Sequence, residues 1–312
     1  MDARQLRYFL SVAKFRSFSR AAVDLNVAQP ALSHHVANLE AELGVKLLER
    51  STKGVTPTEC GETLMRHAET IIRQFSQAAI DVKTTSAHPS GVVTIGLPTS
   101  ISIGLTVPLL QEVEKRFPAI NLRINENHSG FLSEWVLTGR LDLAVLFDTG
   151  PDAPFDLIPL LEEQLYLVSA RGSFIAGRSS IELKELRGIS LVLTGPNHGL
   201  RHAIDRYSDF SSLDINVKTE IDSLVAIKQL VASGYGTSIL PWCAIQQECA
   251  AGQLLAVPIV KPRIERKVYL ASARGWPRSR AADVIAQLTS EVAATLVASD
   301  RWRGELPNSG RL

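Results

Sequence analysis

The sequence predicts an α/β protein that begins with an all-α-dominated winged helix-turn-helix and continues as two α/β lobes. Residues 17–44 show two short helical patterns around a tight turn, and from Val92 onward apolar strands alternate with amphipathic helices. Such alternation is typical of helices covering a mostly parallel sheet. The expected divisions are a winged helix-turn-helix at 1–58, a linker helix and hinge at 59–90, a two-lobed region at 91–300 (lobe I about 91–163 and 267–300, lobe II about 164–266) and a frayed polar tail at 301–312.

The helix-turn-helix is predicted from its caps and its turn. A helix at about residues 19–25 follows Ser17, whose hydroxyl can accept a free amide hydrogen at a helix start. Residues 26–27 make the turn, and a second helix at about 28–43 ends at Gly44, which suits a helix C-terminus. A preceding amphipathic helix at about 2–14 is expected to pack behind this pair.

The second helix is the candidate recognition helix. Its apolar positions, which recur at helical spacing and should face the core, are Leu32, Val36, Leu39 and Leu43. The opposite face is small and polar, which fits the major groove, where amide, hydroxyl and imidazole groups can contact base edges. The predicted DNA-contacting residues on this face are Gln29, Pro30, Ser33, His34, Ala37 and Asn38. The alternative is an ordinary helical hairpin whose polar face meets water.

A short hairpin after the recognition helix is predicted to form the wing. Residues 45–50 fit a strand, residues 51–54 a turn and residues 55–57 a returning strand. Arg50 and Lys53 are expected at the tip, where basic side chains contact phosphates or enter the minor groove, and Thr56 is included in the contact set. Each basic residue could instead be a solvated surface charge.

A long helix is predicted from about residue 59 to residue 85, with Thr58 as its cap. Its apolar residues, spaced by four and three as in a heptad seam, are Leu64, Ala68, Ile71, Phe75, Ala78 and Val82. An exposed seam needs a partner, and the same helix of a second subunit would give a two-fold dimer on a near-palindromic operator. The alternative is packing on its own domain. Residues 86–91 are small and turn-forming, as expected of a hinge.

Composition excludes several classes of protein. The 312 residues carry a net charge of +1, so DNA binding must rely on a local patch, and residues 1–56 have eight Lys or Arg against five Asp or Glu. Three widely spaced cysteines argue against a disulfide framework and suit a reducing cytoplasm. The sequence shows no leader, membrane-spanning run, metal-ligand spacing, phosphate loop or catalytic motif, so we expect no cofactor and no membrane partner.

The C-terminal region reads as two units of alternating elements. The predicted strands are at 92–97, 120–124, 141–147, 165–168, 189–193, 215–221, 237–241 and 267–270, and the predicted helices are at 105–117, 131–138, 198–210, 224–232 and 280–297.

A ligand site is expected in the cleft between the lobes, because ligands of α/β sheets bind beyond the carboxyl ends of the strands. The predicted ligand-binding residues there are Thr99, Ser100, Ser102, His128, Ser129, Phe147, Thr194 and Asn197. Hydroxyls beside free amides at a helix start favour an anion, whereas Asp148 would oppose one. The alternative is that these are ordinary turn and cap residues.

The first 65 or so residues closely resemble the N-terminal domain of LysR-type transcriptional regulators, without a gap, over QLRYFLSVAKFRSFSRAA and LNVAQPALSHHVANLEAELGVKLLERSTKGVTPTECGETL. Ala28 departs from the serine that caps this helix in many members, at a cost of about 1 kcal/mol. Segments 91–96, 139–144 and 231–241 resemble the periplasmic-binding-protein-like effector domain of the same family, and residues 126–148 look like its nitrogen-assimilation-control subgroup. The resemblance implies a cytoplasmic homodimer or homotetramer (a dimer of dimers) that binds double-stranded DNA and a small anionic effector.

Two other functions compete with this hypothesis. The lobes could belong to an enzyme or a transport-type binding protein, although the missing catalytic motif and leader weigh against both. A purely architectural DNA-binding protein would leave the two-lobed region without a role.

Overall fold

The computed structural model describes residues 1–51, 54–83, 89–150, 152–196, 198–210 and 213–307, with the backbone alone at residues 77, 80, 81, 83 and 210. Contacts divide the chain into two units. The N-terminal unit comprises residues 1–87 with the short segment 138–140, and the C-terminal unit comprises residues 88–137 and 141–312.

The N-terminal unit is a helical bundle with a two-stranded hairpin. Its elements are α1 (Ala3–Phe15), α2 (Phe18–Asp24), α3 (Gln29–Leu43), β1 (Leu48–Ser51), β2 (Gly54–Pro57) and α4 (Glu59–Lys83). Its core is built by Phe9 and Val12 of α1, Ala21 of α2, and Leu32 and Leu39 of α3. The antiparallel pairing of β1 with β2 forms the wing that the sequence predicts.

Two details of this unit differ from the predictions. Leu43 is 39% exposed instead of facing the core, and it is the last residue of α3. The first wing strand begins at Leu48 instead of residue 45. The cause is Glu40, whose Oε1 accepts the backbone amides of Leu47 and Leu48 at 2.9 and 3.2 Å and holds this segment against α3.

The long helix α4 begins as the sequence predicts. The hydroxyl of Thr58 accepts the amide of Gly61 at 3.0 Å and donates to the carbonyl of Lys46 at 2.7 Å, which ties the helix start to the wing. Gly61 is required by this close approach, because a Cβ there would lie 2.0 Å from the carbonyl oxygen of Leu47.

The C-terminal unit is organised around one large sheet. Its strands are β3 (Gly91–Leu97), β4 (Ile120–Glu126), β5 (Leu143–Phe147), β6 (Phe155–Ala170), β7 (Ile181–Glu182), β8 (Leu191–Leu193), β9 (Val217–Glu220), β10 (Ser238–Pro241), β11 (Leu254–Val260), β12 (Glu265–Ala273) and β13 (Gly304–Glu305). The main order is β4-β3-β5-β12-β6-β11-β7, with β10 and β13 also paired to β6, and β8 pairs separately with β9. Because β6 pairs with β12 along residues 155–164 and with β11 along residues 166–170, one strand runs through both lobes.

Helices cover this sheet, and the described residues of this unit form three apolar clusters, two in lobe I and one in lobe II. These helices are α5 (Thr99–Arg116), α6 (Ser129–Leu137), α7 (Gly199–Phe210), α8 (Leu224–Ala232), α9 (Trp242–Ala250) and α10 (Arg280–Ala298). Among the described helices, α10 alone is long and apolar enough to cross a membrane, but half of its most apolar stretch is buried, which is the position of a core helix.

The structure of this unit differs from the predictions in four details. The large sheet is mixed instead of mostly parallel, because β12 and β11 run antiparallel to β6. Strand β6 is more than twice as long as predicted, and α9 and β11 went unpredicted. The segment after α10 is not frayed as far as Pro307, because Trp302 is buried and Gly304–Glu305 pairs with β6.

Candidate DNA interface and effector cleft

The exposed face of α3 carries the side chains predicted to contact DNA. Asn26 adopts the left-handed conformation (φ 53°) in the turn before α3, and Gly44 (φ 69°) ends the helix. Pro30, His34, Ala37 and Asn38 are exposed, whereas Gln29 and Ser33 are half-buried at the edge of the same face. The N-cap residue Ala28 makes no side-chain hydrogen bond.

Two contacts hold polar groups of this face in place. His34 Nε2 lies 3.2 Å from Asn38 Nδ2, one helical turn away, which restrains both side chains. Arg50 Nη2 donates to the hydroxyl of Ser33 at 2.8 Å, and its guanidinium lies 4.2 Å from the centre of the Phe18 ring. Arg50 therefore lies within β1, and its side chain contacts α3 instead of extending from the tip of the wing.

Two further residues of the wing, Thr56 and Lys53, belong to the predicted DNA-contacting set. Thr56 is exposed on β2. Lys53 lies outside the described residues, so its predicted place at the tip stays a prediction.

Glu40 positions the wing, a role that the sequence pattern does not predict. Partial burial raises the pKa of its carboxyl, but hydrogen bonds from Lys46 and from the amides of Leu47 and Leu48 outweigh this and lower it. The carboxylate is therefore charged and joins α3 to the wing. Its position among the polar residues of α3 gave no signal of this long-range role.

In the C-terminal unit, a buried ion pair lies where the two lobes meet. Arg266 of β12 and Glu163 of β6 are both fully buried, with Nε and Oε1 2.5 Å apart. The other oxygen of Glu163 accepts the indole N–H of Trp302 at 2.8 Å. Arg266 also donates from Nη2 to the hydroxyl of Ser100 at 2.9 Å, and its Cζ lies 3.7 Å from the centre of the Phe147 ring.

Two histidines lie beside this pair. His128 precedes α6 and His198 precedes α7, and their rings meet edge to face at 4.9 Å between centroids. His198 Nδ1 accepts the amide of Leu200 at 3.2 Å. Burial lowers the pKa of His198 to about 4, and the charges of His128 and Arg266 act in the same direction.

The lobes touch at Gly199. A Cβ at this position would lie 3.0 Å from Ser129 Oγ and 3.3 Å from the Phe147 ring, so the absence of a side chain permits the close approach. The structure thus brings together Ser100, His128, Ser129 and Phe147 of the predicted effector set.

The other predicted effector residues behave differently. Thr99 is half-buried at the start of α5, and the hydroxyl of Ser102 bonds to Thr106 of the same helix at 3.1 Å. The hydroxyl of Thr194 is buried with no hydrogen-bond partner among the described residues. Asn197 lies outside the described residues. Asp148, expected to oppose an anion, has its Oδ2 3.4 Å from Arg206 Nη1 and accepts the amide of Lys267 at 3.0 Å.

Two protein families match this chain, one over its N-terminal part and one over its C-terminal part. Residues 3–62 match the family "Bacterial regulatory helix-turn-helix protein, lysR family", and residues 86–294 match the family "LysR substrate binding domain". The nitrogen assimilation regulatory protein nac of Klebsiella aerogenes is 35% identical over 88% of this chain and 90% of its own length. The similarity to nitrogen assimilation regulators predicted from residues 126–148 is thereby confirmed.

Two further relatives extend the comparison. A Streptomyces viridosporus protein described as a "Probable hydrogen peroxide-inducible genes activator" is 32% identical over 88% of this chain and 89% of its own length. The solved structure of a full-length OxyR variant from Pseudomonas aeruginosa has a TM-score of 0.73 and 29% identity, and covers 93% of this chain and 98% of that one. The relatives are named as regulators, which disfavours the enzyme hypothesis. The chain belongs to the LysR family of DNA-binding transcriptional regulators, with a helix-turn-helix and a substrate-binding domain.

Proposed function

We propose that this protein is a cytoplasmic, effector-responsive regulator that binds a near-palindromic operator as a dimer or a dimer of dimers. The observation that carries this proposal is the exposed polar face of α3 with Arg50 held beside it. A helix face of small polar side chains next to a positioned cation can enter a major groove and contact phosphate at its edge.

The residues of this face take different roles in the proposal. Gln29, Ser33 and His34 contact base edges, while Pro30, Ala37 and Asn38 shape and support the surface. Arg50, together with Lys53, supplies the phosphate contacts that position α3. Since Arg50 already bonds to Ser33, DNA binding would meet a partly organised surface.

The cleft of the C-terminal unit is proposed to bind the effector, a small anionic metabolite. The cluster of Ser100, His128, Ser129 and Phe147 around Arg266 supports this assignment. An effector changes operator binding only if it binds one arrangement of the subunits more tightly than another.

Peroxide sensing, suggested by the name of one relative, is not favoured by the thiols of this unit. Burial raises the pKa of the Cys243 thiol, and it raises the pKa of Cys249 to about 11. Both are therefore protonated at neutral pH, whereas the thiolate is the reactive form. Because both lie on α9, six residues apart, they are about 9 Å apart along the helix and cannot form a disulfide.

The test is a footprint of the full-length protein on the DNA upstream of its own gene at fixed salt, with His34→Ala compared with the parent. Loss of a base contact costs about 1–3 kcal/mol, so we expect operator affinity to fall roughly ten- to hundredfold while nonspecific affinity stays nearly unchanged. His67→Ala, which removes an exposed histidine of α4, is the matched control and should leave the footprint intact.

A footprint unchanged by His34→Ala would remove His34 from the base-contacting set. The parent protein must also protect a near-palindromic site in the footprint. If a genome-wide DNA pull-down with the parent protein enriches no specific site, the proposed function is contradicted. Lys53→Ala, by contrast, should weaken binding to every sequence and reduce the dependence of affinity on salt.

A further inference from the structure

Around the cleft, the carboxylate acceptors have hydrogen-bond partners, whereas some buried donors do not. Three carboxylates of the described residues lie near the cleft, and each accepts a hydrogen bond; the exposed Asp222 accepts the amide of Gly195 at 2.9 Å. Glu163 accepts from Arg266 and from Trp302, while Asp148 accepts from Lys267 and pairs with Arg206. The carboxylates of Glu163 and Asp148, which could otherwise attract a cationic ligand, are therefore already paired.

Two buried hydrogen-bond donors beside the cleft, in contrast, have no partner among the described residues. Arg266 uses Nε for Glu163 and Nη2 for Ser100, which leaves Nη1 buried without a partner among the described residues. The hydroxyl of Thr194, also buried, is unpartnered in the same part of the chain. A buried donor without an acceptor is costly, so its presence at a cleft points to a ligand that supplies the acceptor.

His198 provides a further donor whose position is set by the backbone. Because Nδ1 accepts the amide of Leu200, the proton of the neutral ring is on Nε2. The low pKa of His198, about 4, agrees with a neutral ring at physiological pH. Its charged and titratable neighbours are His128 before α6, Arg266 on β12, Asp222 before α8, and His202 on its own helix.

The ring of Phe147 lies close to Arg266 and to the chain segment of His198. Its ring contacts the guanidinium of Arg266 and approaches the backbone of Gly199, the residue after His198. Arg266 and His198 therefore flank one small region, with the hydroxyl of Ser129 at its edge.

The available charge limits the ligand. Arg266 is the one buried cation of this region among the described residues, and Glu163 already offsets part of its charge. A singly charged carboxylate matches this balance, whereas a dianionic phosphate would leave excess negative charge buried.

We propose that the cleft recognises a small carboxylate through Nη1 of Arg266 and the Nε2–H of neutral His198, and that the carboxylate binds without uptake of a proton. This inference rests on the proposed effector function and names the ligand class of that same cleft. The bond from Leu200 makes the pairing of His198 independent of pH near neutrality, since Nδ1 is already used as an acceptor.

The experiment uses sodium acetate as the probe, with thermal unfolding of the full-length protein as the readout and sodium chloride keeping ionic strength constant. A ligand that binds only the folded state raises the melting temperature. We expect acetate to do so, with inorganic phosphate much less effective. The apparent affinity for acetate should change less than about twofold between about pH 6 and 8, because no proton is taken up.

Two substitutions of one residue separate recognition from structure. His198→Asn places an acceptor near the position of Nδ1 for Leu200 but removes the donor at Nε2, so acetate affinity should fall about tenfold or more. His198→Gln can present an amide N–H near the position of Nε2 and should retain most of the affinity. His202→Asn removes an exposed histidine of the same helix and is the control.

Arg266→Lys tests the other donor, because it keeps the charge beside Glu163 but replaces the three guanidinium nitrogens with one ammonium nitrogen, which cannot also occupy the position of Nη1. Acetate affinity should again fall about tenfold or more. If this variant does not fold, the two variants at His198 still decide the question.

Three results would overturn the proposal. They are chloride acting as well as acetate, His198→Gln losing as much affinity as His198→Asn, or affinity falling about tenfold per pH unit as expected for coupled proton uptake. The operator footprint of the same variants without acetate tests the proposed function separately, so the two failures are distinguishable.

Discussion

At the scale of single residues, two ion pairs of equal length illustrate how burial sets energetic importance. Arg266–Glu163 and Arg116–Glu291 both have an N–O distance of 2.5 Å, but the first is fully buried and the second is 40% exposed on both sides. Removing one partner of a buried pair leaves an uncompensated charge in the interior, whereas an exposed pair is screened by water.

Glu163→Gln should therefore lower the free energy of unfolding by about 3–5 kcal/mol, and Glu291→Gln by no more than about 1 kcal/mol. Urea denaturation of both variants at pH 7 measures the difference. Equal effects would mean that the buried pair is compensated by water or by rearrangement of Trp302.

His198 should make stability depend on pH. Burial, with the charges of His128 and Arg266, lowers its pKa from the ordinary 6.5 to about 4, so the unfolded chain binds a proton more readily than the folded one. The stability that it contributes is present above about pH 6.5 and is lost as pH falls through about 4, by roughly 3 kcal/mol in total. Urea unfolding at a series of pH values should show this decline, and His198→Asn should reduce it. An identical decline in the variant would assign the effect to other groups.

At the scale of secondary-structure elements, α2 and α3 form a natural comparison of helix caps. Ser17 caps α2 by accepting the amide of Arg20 at 3.3 Å, whereas Ala28 leaves the start of α3 uncapped. Pro30 has no amide hydrogen, so the group that a new cap could satisfy is the amide of Ala31.

Ala28→Ser should stabilise the N-terminal unit by about 1 kcal/mol, and Ser17→Ala should destabilise it by a similar amount. Amide hydrogen exchange in the first turns of α2 and α3 reports each change locally. If Ala28→Ser changed nothing, the start of α3 would already be satisfied by solvent.

The elements also show how far sequence patterns can predict the fold. Helix α8 spans Leu224–Ala232, as predicted, because Ser223 caps it and its apolar residues follow one helical period. Strand β6 was predicted only at its end, since Pro159 and the charged pair Glu162 and Glu163 interrupt the apolar pattern in its first part. That part is a strand because β12 pairs with it, and pairing between residues about 100 positions apart leaves no local signal.

The same limit applies to the candidate site. The loops at the strand ends could be predicted from chain order, which placed Ser100, His128, Ser129 and Phe147 correctly near one another. Arg266, Glu163 and Trp302 could not be predicted, because a charged residue in a strand and an aromatic residue in a polar tail resemble surface residues until their partners are known.

At the scale of the whole molecule, the seam of α4 is relevant to assembly. Its first part is used within the N-terminal unit, where Ala68 is buried and Leu64 packs on the core. Further along, Phe75 is 60% exposed and Val82 is 89% exposed. An apolar seam that becomes exposed along one helix fits pairing with a second copy of α4.

Phe75→Glu should therefore weaken the dimer about 100-fold or more, because it would place an unpaired charge in the seam. Sedimentation velocity measures the oligomeric state, and the operator footprint should be lost in parallel. Glu69→Gln changes an exposed residue of the same helix and should leave both intact. A dimer that survived Phe75→Glu would place the subunit contact elsewhere.

The burial of Trp302 has a consequence for isolating the regulatory part of this protein. The family similarity ends at residue 294, yet the indole that satisfies Glu163 and the strand Gly304–Glu305 that pairs with β6 both lie beyond it. A fragment cut at that similarity boundary would leave this buried carboxylate oxygen with the weak thiol donor of Cys243, 3.8 Å away, in place of the indole. An autonomous C-terminal fragment should therefore be expressed from residue 89 to at least residue 307, so that it keeps Trp302 and its last strand.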